Sequence, residues 1–222
     1  MQFSPFIIVG GHYGSGKTNF SLNLAAFLRK TEKAVTLVDM DIVNPYFRSS
    51  DYRGFLEGAG IRLIAPTYAG TTLDTPALPP EISSVFDAPE GHVIFDVGGD
   101  DAGATALGCF SNRFSEVDYE FLYVINQKRN LTATAQEAAE ILKEIETASH
   151  LRVTGLINNT HLCGLTDVGT VEGSLSYGLE VSRLTGAPVK LTAADKRLCG
   201  GISRFAGELF PVKILVKPDF SF

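Results

Sequence analysis

Apolar positions along the chain gather into short unbroken runs. FIIVGG at 6–11 and FLYVIN at 121–126 are apolar almost throughout, as strands covered on both faces must be. Runs of this kind predict strands at 5–10, 34–39, 61–65, 92–96, 121–126, 153–158 and 189–191, with a last one at 212–216. Between them the spacing becomes helical, at 17–30, 51–57, 132–147 and 171–185. Strands alternating with helices predict an α/β chain of three layers, a mainly parallel sheet flanked by helices. APTYAGTTLDTPALPP at 65–80 has no periodicity and predicts a surface loop, either a lid or a partner contact.

Composition narrows this picture only a little. At 222 residues, 45% hydrophobic and 20% charged, the sequence suits a single domain over 1–222 that needs no staples to bury a core. A net charge of −6 argues against nucleic acid as a general partner. The three cysteines form no CxxC pair, so the expectation is free thiols, buried or half-buried. No basic leader and no long apolar stretch precede the first strand. A cytoplasmic location with no membrane span is therefore expected.

The chemistry begins where the first strand ends. Residues 11–18 read G-H-Y-G-S-G-K-T, which fits G-x-x-x-x-G-K-[ST] with a strand before it and a helix after it. Glycines let backbone N–H groups curl around a β-phosphate, and the helix N-terminus adds positive potential. Lys17 would reach the β- and γ-phosphates, and the Thr18 hydroxyl would ligate Mg²⁺. Gly11, Gly14, Ser15, Gly16, Lys17, Thr18 and Asn19 are thus the candidate phosphate contacts, and the fold class sharpens to a P-loop NTPase fold. Such a loop needs an acid at a neighbouring strand end. HVIFDVGGDD supplies Asp96, followed by Gly98 and by Gly99, whose backbone could approach a γ-phosphate. TLVDMDIVNP supplies Asp39 and Asp41. In extended chain these two face the same way, so one would assist the metal and the other orient or deprotonate the attacking group. Their strand is expected beside the P-loop strand.

Taken together these residues resemble the MinD/ParA/CobQ branch of P-loop proteins, over about 5–192. The resemblance implies Asp41 as the acid that positions the hydrolytic water, Asp96 as the Walker B acid, Asp39 with Thr18 in the metal shell, Asp100 as a relay and Asn44 as a first-switch residue. In GLINNT it implies an Asn that reads a purine edge, with Asn158 first and Asn159 second. The guanine signature Asn-Lys-x-Asp is absent, which favours ATP over GTP. ATP and Mg²⁺ are the implied cofactors. Two departures stand out. His12 occupies the place of that group's signature lysine, and an imidazole does not carry a fixed ammonium charge. The cluster cysteine of the nitrogenase iron protein is replaced by Gly103, so no iron–sulfur cluster is expected.

The implied activity is a Mg²⁺-dependent ATPase switching a protein partner in assembly, maturation or positioning. An ATP-dependent homodimer is one form of partnership, left open by His12. The rival is a synthetase of the dethiobiotin or cobyrinate-amidating kind, holding a small carboxylate with the 65–80 loop and Lys128/Arg129. Lys128 and Arg129 are otherwise solvated loop residues. Tyr46, Phe47 and Arg48 suit either a partner contact or packing under the first switch. His92, His150 and His161 have no accompanying motif. The C-terminal VKILVKPDFSF is no basic amphipathic helix, so membrane attachment of the MinD kind is not expected.

Overall fold

The computed structural model describes residues 1–31, 34–41, 48–66, 79–87, 91–99 and 101–216. Its strands are β1 (Phe6–Gly10), β2 (Val35–Asp39), β3 (Arg62–Ile64), β4 (His92–Asp96), β5 (Tyr119–Ile125), β6 (Gly155–Asn158), β7 (Val189–Asp195) and β8 (Glu208–Val212). They form one sheet in the order β3-β2-β4-β1-β5-β6-β7-β8. All neighbouring pairs are parallel. The helices are α1 (Lys17–Leu28), α2 (Arg53–Gly58), α3 (Glu81–Asp87), α4 (Asp101–Gly108), α5 (Ser111–Phe114), α6 (Ala135–Ser149), α7 (Val168–Gly173) and α8 (Leu175–Thr185).

The unbroken apolar runs follow from burial on both faces. Successive strand residues point to opposite faces. Phe6 and Ile8 join one core with Phe95, Phe114, Phe121, Leu142 and Val181. Ile7 and Val9 join the other with Phe20, Leu24, Leu37, Leu56 and Phe210. Each such side chain stabilises by about 1.5–3 kcal/mol when fully buried, so both helical layers are held firmly against the sheet.

Several expectations change. The P-loop strand β1 does not neighbour β2, because β4 lies between them. The apolar content of these strands carries no information about their order. The last strand is Glu208–Val212 and not 212–216. Its Pro211 disguised it, and it is tolerated because β8 is the sheet edge and needs no outward N–H. The helical pattern at 171–185 is two helices, α7 and α8, broken at Ser174. Helices α3, α4 and α5 were not foreseen; α4 reads DAGATALG, whose small residues give no apolar stripe. α6 begins at Ala135 because Thr134 caps it, accepting from Glu137 N at 3.2 Å while Glu137 accepts from Thr134 N at 2.9 Å. Cys163 and Cys199 are half-buried, but Cys109 is exposed.

Parallel strands bring their carboxyl ends to one edge of the sheet. The P-loop, Asp39, Asp96, Asn126, Asn158 and Asp195 all stand at or just after strand ends on that edge. No helix among the described residues is long and apolar enough to cross a membrane.

Candidate functional site

Gly16 caps α1 in the left-handed region (φ 92°), with no side chain hydrogen-bonded to the helix N-terminus as a cap. The first-turn N–H groups are therefore open to an anion. Lys17 is buried, and its Nζ donates to His12 O at 3.1 Å, folding the side chain back along the loop. A Cβ on Gly99 would lie 2.7 Å from Lys17 Nζ and 2.7 Å from Tyr13 N. Only glycine lets this strand end approach the loop so closely. Ser15 Oγ is buried without a hydrogen-bond partner among the described residues. An orphaned hydroxyl inside a cradle of amides fits an anionic ligand. His12 is half-buried, and burial, then the Lys17 charge, holds its imidazole below the ordinary range, so it is neutral.

Across the loop toward β4 and β2 lies an acidic flank. Asp39 and Asp96 are register partners, and both are buried. Ser21 Oγ on α1 donates to Asp96 Oδ1 at 3.0 Å, and Ser49 Oγ donates to Asp96 Oδ2. Asp41 N donates to Asp39 Oδ1 at 3.0 Å, and Ser50 N to Asp39 Oδ2 at 2.9 Å. Burial pushes Asp96 above the carboxylate range, while Ser49, the Lys17 charge, Thr18 and Ser21 pull it back. Burial, with Asp96 alongside, raises Asp39 to about 6 against the hydrogen bonds from Ser50 and Asp41. Asp39 thus turns inward to Asp96, whereas Asp41 lines the open cavity with Lys17 and Gly99. Thr18, Asp39 and Asp96 offer hard oxygen donors beside the phosphate cradle, which suits Mg²⁺.

On the other side lies a flank built from amides. Asn159 Nδ2 donates to Ser15 O at 2.8 Å, clamping the P-loop from β6. Asn158 is buried and fully used: Nδ2 donates to Ser174 Oγ at 2.9 Å, and Oδ1 accepts from Thr160 Oγ1 at 2.8 Å. It holds the α7–α8 break against the sheet. Asn126, after β5, is fully buried. Its Oδ1 accepts from Lys128 N at 2.9 Å and from His161 N at 3.3 Å. Asn19 Oδ1 accepts from Leu215 N at 2.8 Å and Val216 N at 3.2 Å, so it tethers the segment after β8 to α1. Arg129 is not a solvated loop residue, since its Nε donates to Gly14 O at 2.8 Å.

These pieces enclose one cavity of about 750 Å³. Its lining includes the loop residues Tyr13, Gly14, Gly16, Lys17 and Thr18, with Asp41 and Gly99, and also Arg129, Asn159, His161, Asp195 and Val216. Gly11 is packed against β5, where a Cβ would lie 2.4 Å from Val124 O. Asn44, Tyr46, Phe47, Asp100 and most of the 65–80 loop lie outside the described residues. Missed in the sequence were Ser21, Ser49, Ser50, Asn126 and His161. Hydroxyls and amides carry no motif, and only tertiary contact gives them a role.

The family described as CobQ/CobB/MinD/ParA nucleotide binding domain matches residues 6–162. No curated protein matches the chain. Among solved structures, cell division protein FtsY from Thermotoga maritima is similar at 20% identity and TM-score 0.58, over 85% of this chain and 61% of that one. The signal recognition particle 54 kDa protein from Aeropyrum pernix K1, in complex with GDP, is similar at 20% identity and TM-score 0.58, over 86% of this chain and 41% of that one. FtsY from Elizabethkingia anophelis, in complex with GDP, follows at 19% identity and TM-score 0.56, over 87% and 58%. At these identities the likeness is one of fold. The chain spans about two-fifths to three-fifths of the length of these three structures.

Proposed function

Because the chain belongs to the CobQ/CobB/MinD/ParA family of nucleotide-binding domains, we propose that it is a Mg²⁺-dependent ATPase working as a switch on a protein partner. One observation carries the switch. The carboxylates suited to a magnesium shell already hold the segment after β2, through Ser49 to Asp96 and Ser50 N to Asp39. A metal shell competes for those same oxygens. Loss or regain of the Ser49 and Ser50 bonds would therefore shift residues 48–52, a local event that a partner could read.

Lys17 and the loop amides hold charge developing on the γ-phosphate. Thr18, Asp39 and Asp96 would hold the metal, which would supply positive charge beside the phosphates. Asp41, facing the cavity at that end, aligns the attacking water. Adenine is the base of choice. No acid follows Asn158 and Asn159 at the guanine-reading place, and the acid lining the far end, Asp195, is engaged by Arg197 Nε at 3.0 Å. Of the two candidate purine readers, Asn159 lines the cavity and uses its Nδ2 on Ser15 O, whereas Asn158 is fully bonded, which supports Asn159 as the reader through its Oδ1.

The test is solution mass of Asp41→Ala with and without Mg·ATP, alongside phosphate release. The expected result is retained ATP binding, no hydrolysis, and an ATP-dependent change of mass or of partner binding. Undiminished phosphate release would show that another group aligns the water. A mass and partner profile that ignore ATP would move the assignment to a synthetase, to be followed with small carboxylate substrates.

A further inference from the structure

Two donors outside the phosphate loop lean over it from the amide flank. Arg129 Nε donates to Gly14 O at 2.8 Å, and its Nη2 reaches to 3.8 Å from Cys163 Sγ. A guanidinium has five N–H donors in a fixed fork, so anchoring two of them leaves others for a ligand in the cavity that Arg129 lines. His161 approaches the next turn of the loop. Its Nδ1 accepts from Cys163 N at 3.2 Å, so the neutral ring carries its proton on Nε2. That Nε2 lies 3.1 Å from where a Cβ on Gly16 would sit, over the open N-terminus of α1.

The pair is built in advance of any ligand. Asn126 O accepts from Arg129 N at 3.3 Å, and the Asn126 amide accepts from His161 N and donates to His161 O at 3.4 Å. One fully buried residue therefore positions both donors, Arg129 through its backbone carbonyl and His161 through its side-chain amide. Arg129 meets the loop at Gly14 and His161 approaches it at Gly16, whereas Asp41 and Gly99 line the same cavity from the strand ends of β2 and β4.

We propose that Arg129 and His161 form a second phosphate contact, a clamp on the α- and β-phosphates that is made with diphosphate and triphosphate alike. The proposal rests on the nucleotide reading above. Charge-assisted hydrogen bonds are the strong ones, and Arg suits phosphate because its planar fork meets two oxygens together. Since neither donor meets the γ-phosphate, the clamp strengthens ground state and transition state equally. It also holds the product, so release of diphosphate is slowed by the same contacts.

The experiment is titration calorimetry of ADP and of a non-hydrolysable ATP analogue, both with Mg²⁺, on wild type, Arg129→Ala, Arg129→Lys and His161→Gln. GDP is run in parallel, and ligand-free melting confirms folding. Arg129→Ala should weaken ADP and the analogue by the same factor, about tenfold or more. Their ratio should keep its wild-type value, with Arg129→Lys recovering part of the loss and His161→Gln losing severalfold on both. Three results overturn the clamp: unchanged affinities, a loss confined to the triphosphate, or slower single-turnover hydrolysis with ADP affinity intact. Wild type that prefers GDP removes the adenine assignment and leaves the clamp to be judged with GDP. Wild type that retains no nucleotide overturns both proposals. Should Arg129→Ala not fold, Arg129→Gln, which keeps an amide donor for Gly14, takes its place.

Discussion

The two flanks of the phosphate loop are held by opposite chemistry. Toward β4 and β2, charge is stored: Asp39 and Asp96 are buried side by side and are restrained by hydroxyl and amide donors. Toward β5 and β6, the buried groups are neutral: Asn126, Asn158 and Asn159 are amides tied by hydrogen bonds, and His161 is a neutral ring beside the Arg129 guanidinium. Uncompensated buried carboxylates resist their own position, whereas satisfied amides rigidify it. The acidic flank is therefore the one that a metal ion can rearrange, and the amide flank is the one that fixes where the nucleotide lies.

Lys17 stands between the flanks and gives the largest expected effect. Its charge is one of the influences that pull Asp96 back toward ionisation. Lys17→Ala removes the one P-loop cation directed at the phosphates and leaves the two acids facing the cradle without it. Nucleotide affinity should fall by about a hundredfold or more, the equivalent of roughly 3 kcal/mol. The hydrogen bonds that hold Asn126, Asn158 and Asn159 run to other residues, so thermal unfolding should stay cooperative. Calorimetry decides the point: micromolar ATP affinity in the variant would remove the P-loop from the nucleotide site.

How much of this was legible depended on how local each feature is. The P-loop is eight consecutive residues whose glycines have a backbone reason, so residues 11–18 could be read directly. Asp96 and Asp39 end apolar runs, and strand ends of a parallel sheet share one edge. The meeting of Arg129 with Gly14 spans 115 positions, and nothing near either residue announces it. The same holds for Ser49 with Asp96, 47 apart. The insertion of β4 between β1 and β2 was equally hidden, because runs such as FIIVG and HVIFD are interchangeable by composition. Asn158 shows the limit of residue type alone: an Asn at a strand end suits purine reading, yet here its amide ties Ser174 and Thr160.

The flanks should also answer pH with opposite sign. Burial, then the Arg129 charge, holds His161 down at about 4 against an ordinary 6.5. Between those values the unfolded chain takes a proton that the folded chain refuses. Stability from this residue is thus present above pH 6.5 and lost as pH falls toward 4. Asp39 is raised to about 6 from 3.8, so the folded chain holds the extra proton. Its contribution is present below 3.8 and lost as pH rises through 6. Each is worth roughly 3 kcal/mol and the windows overlap, so the pair nearly cancels in wild type. His161→Gln should gain roughly 3 kcal/mol on wild type as pH drops from 7 to 4, and Asp39→Asn should tilt the other way. Urea unfolding across that range reads both tilts. Parallel profiles for variant and wild type would mean that neither flank is set up as described.

The smallest effect expected concerns a third amide. Asn19 sits in the first turn of α1, and its Oδ1 accepts from Leu215 N and Val216 N. Asn23, one turn on, accepts from Lys213 N at 2.8 Å and donates to Lys213 O at 2.9 Å. The chain after β8 is therefore pinned twice, and Ile214 and Val216 line the cavity. Asn19→Ala frees two backbone N–H groups at a partly exposed position where water can replace them. The stability cost should be about 1 kcal/mol. Nucleotide affinity should drop only severalfold, because Asn23 still holds Lys213 and Lys17 still faces the phosphates. If Asn19 instead met the nucleotide directly, the affinity loss would far exceed the stability loss. Measuring both on the one variant separates a wall residue from a contact residue.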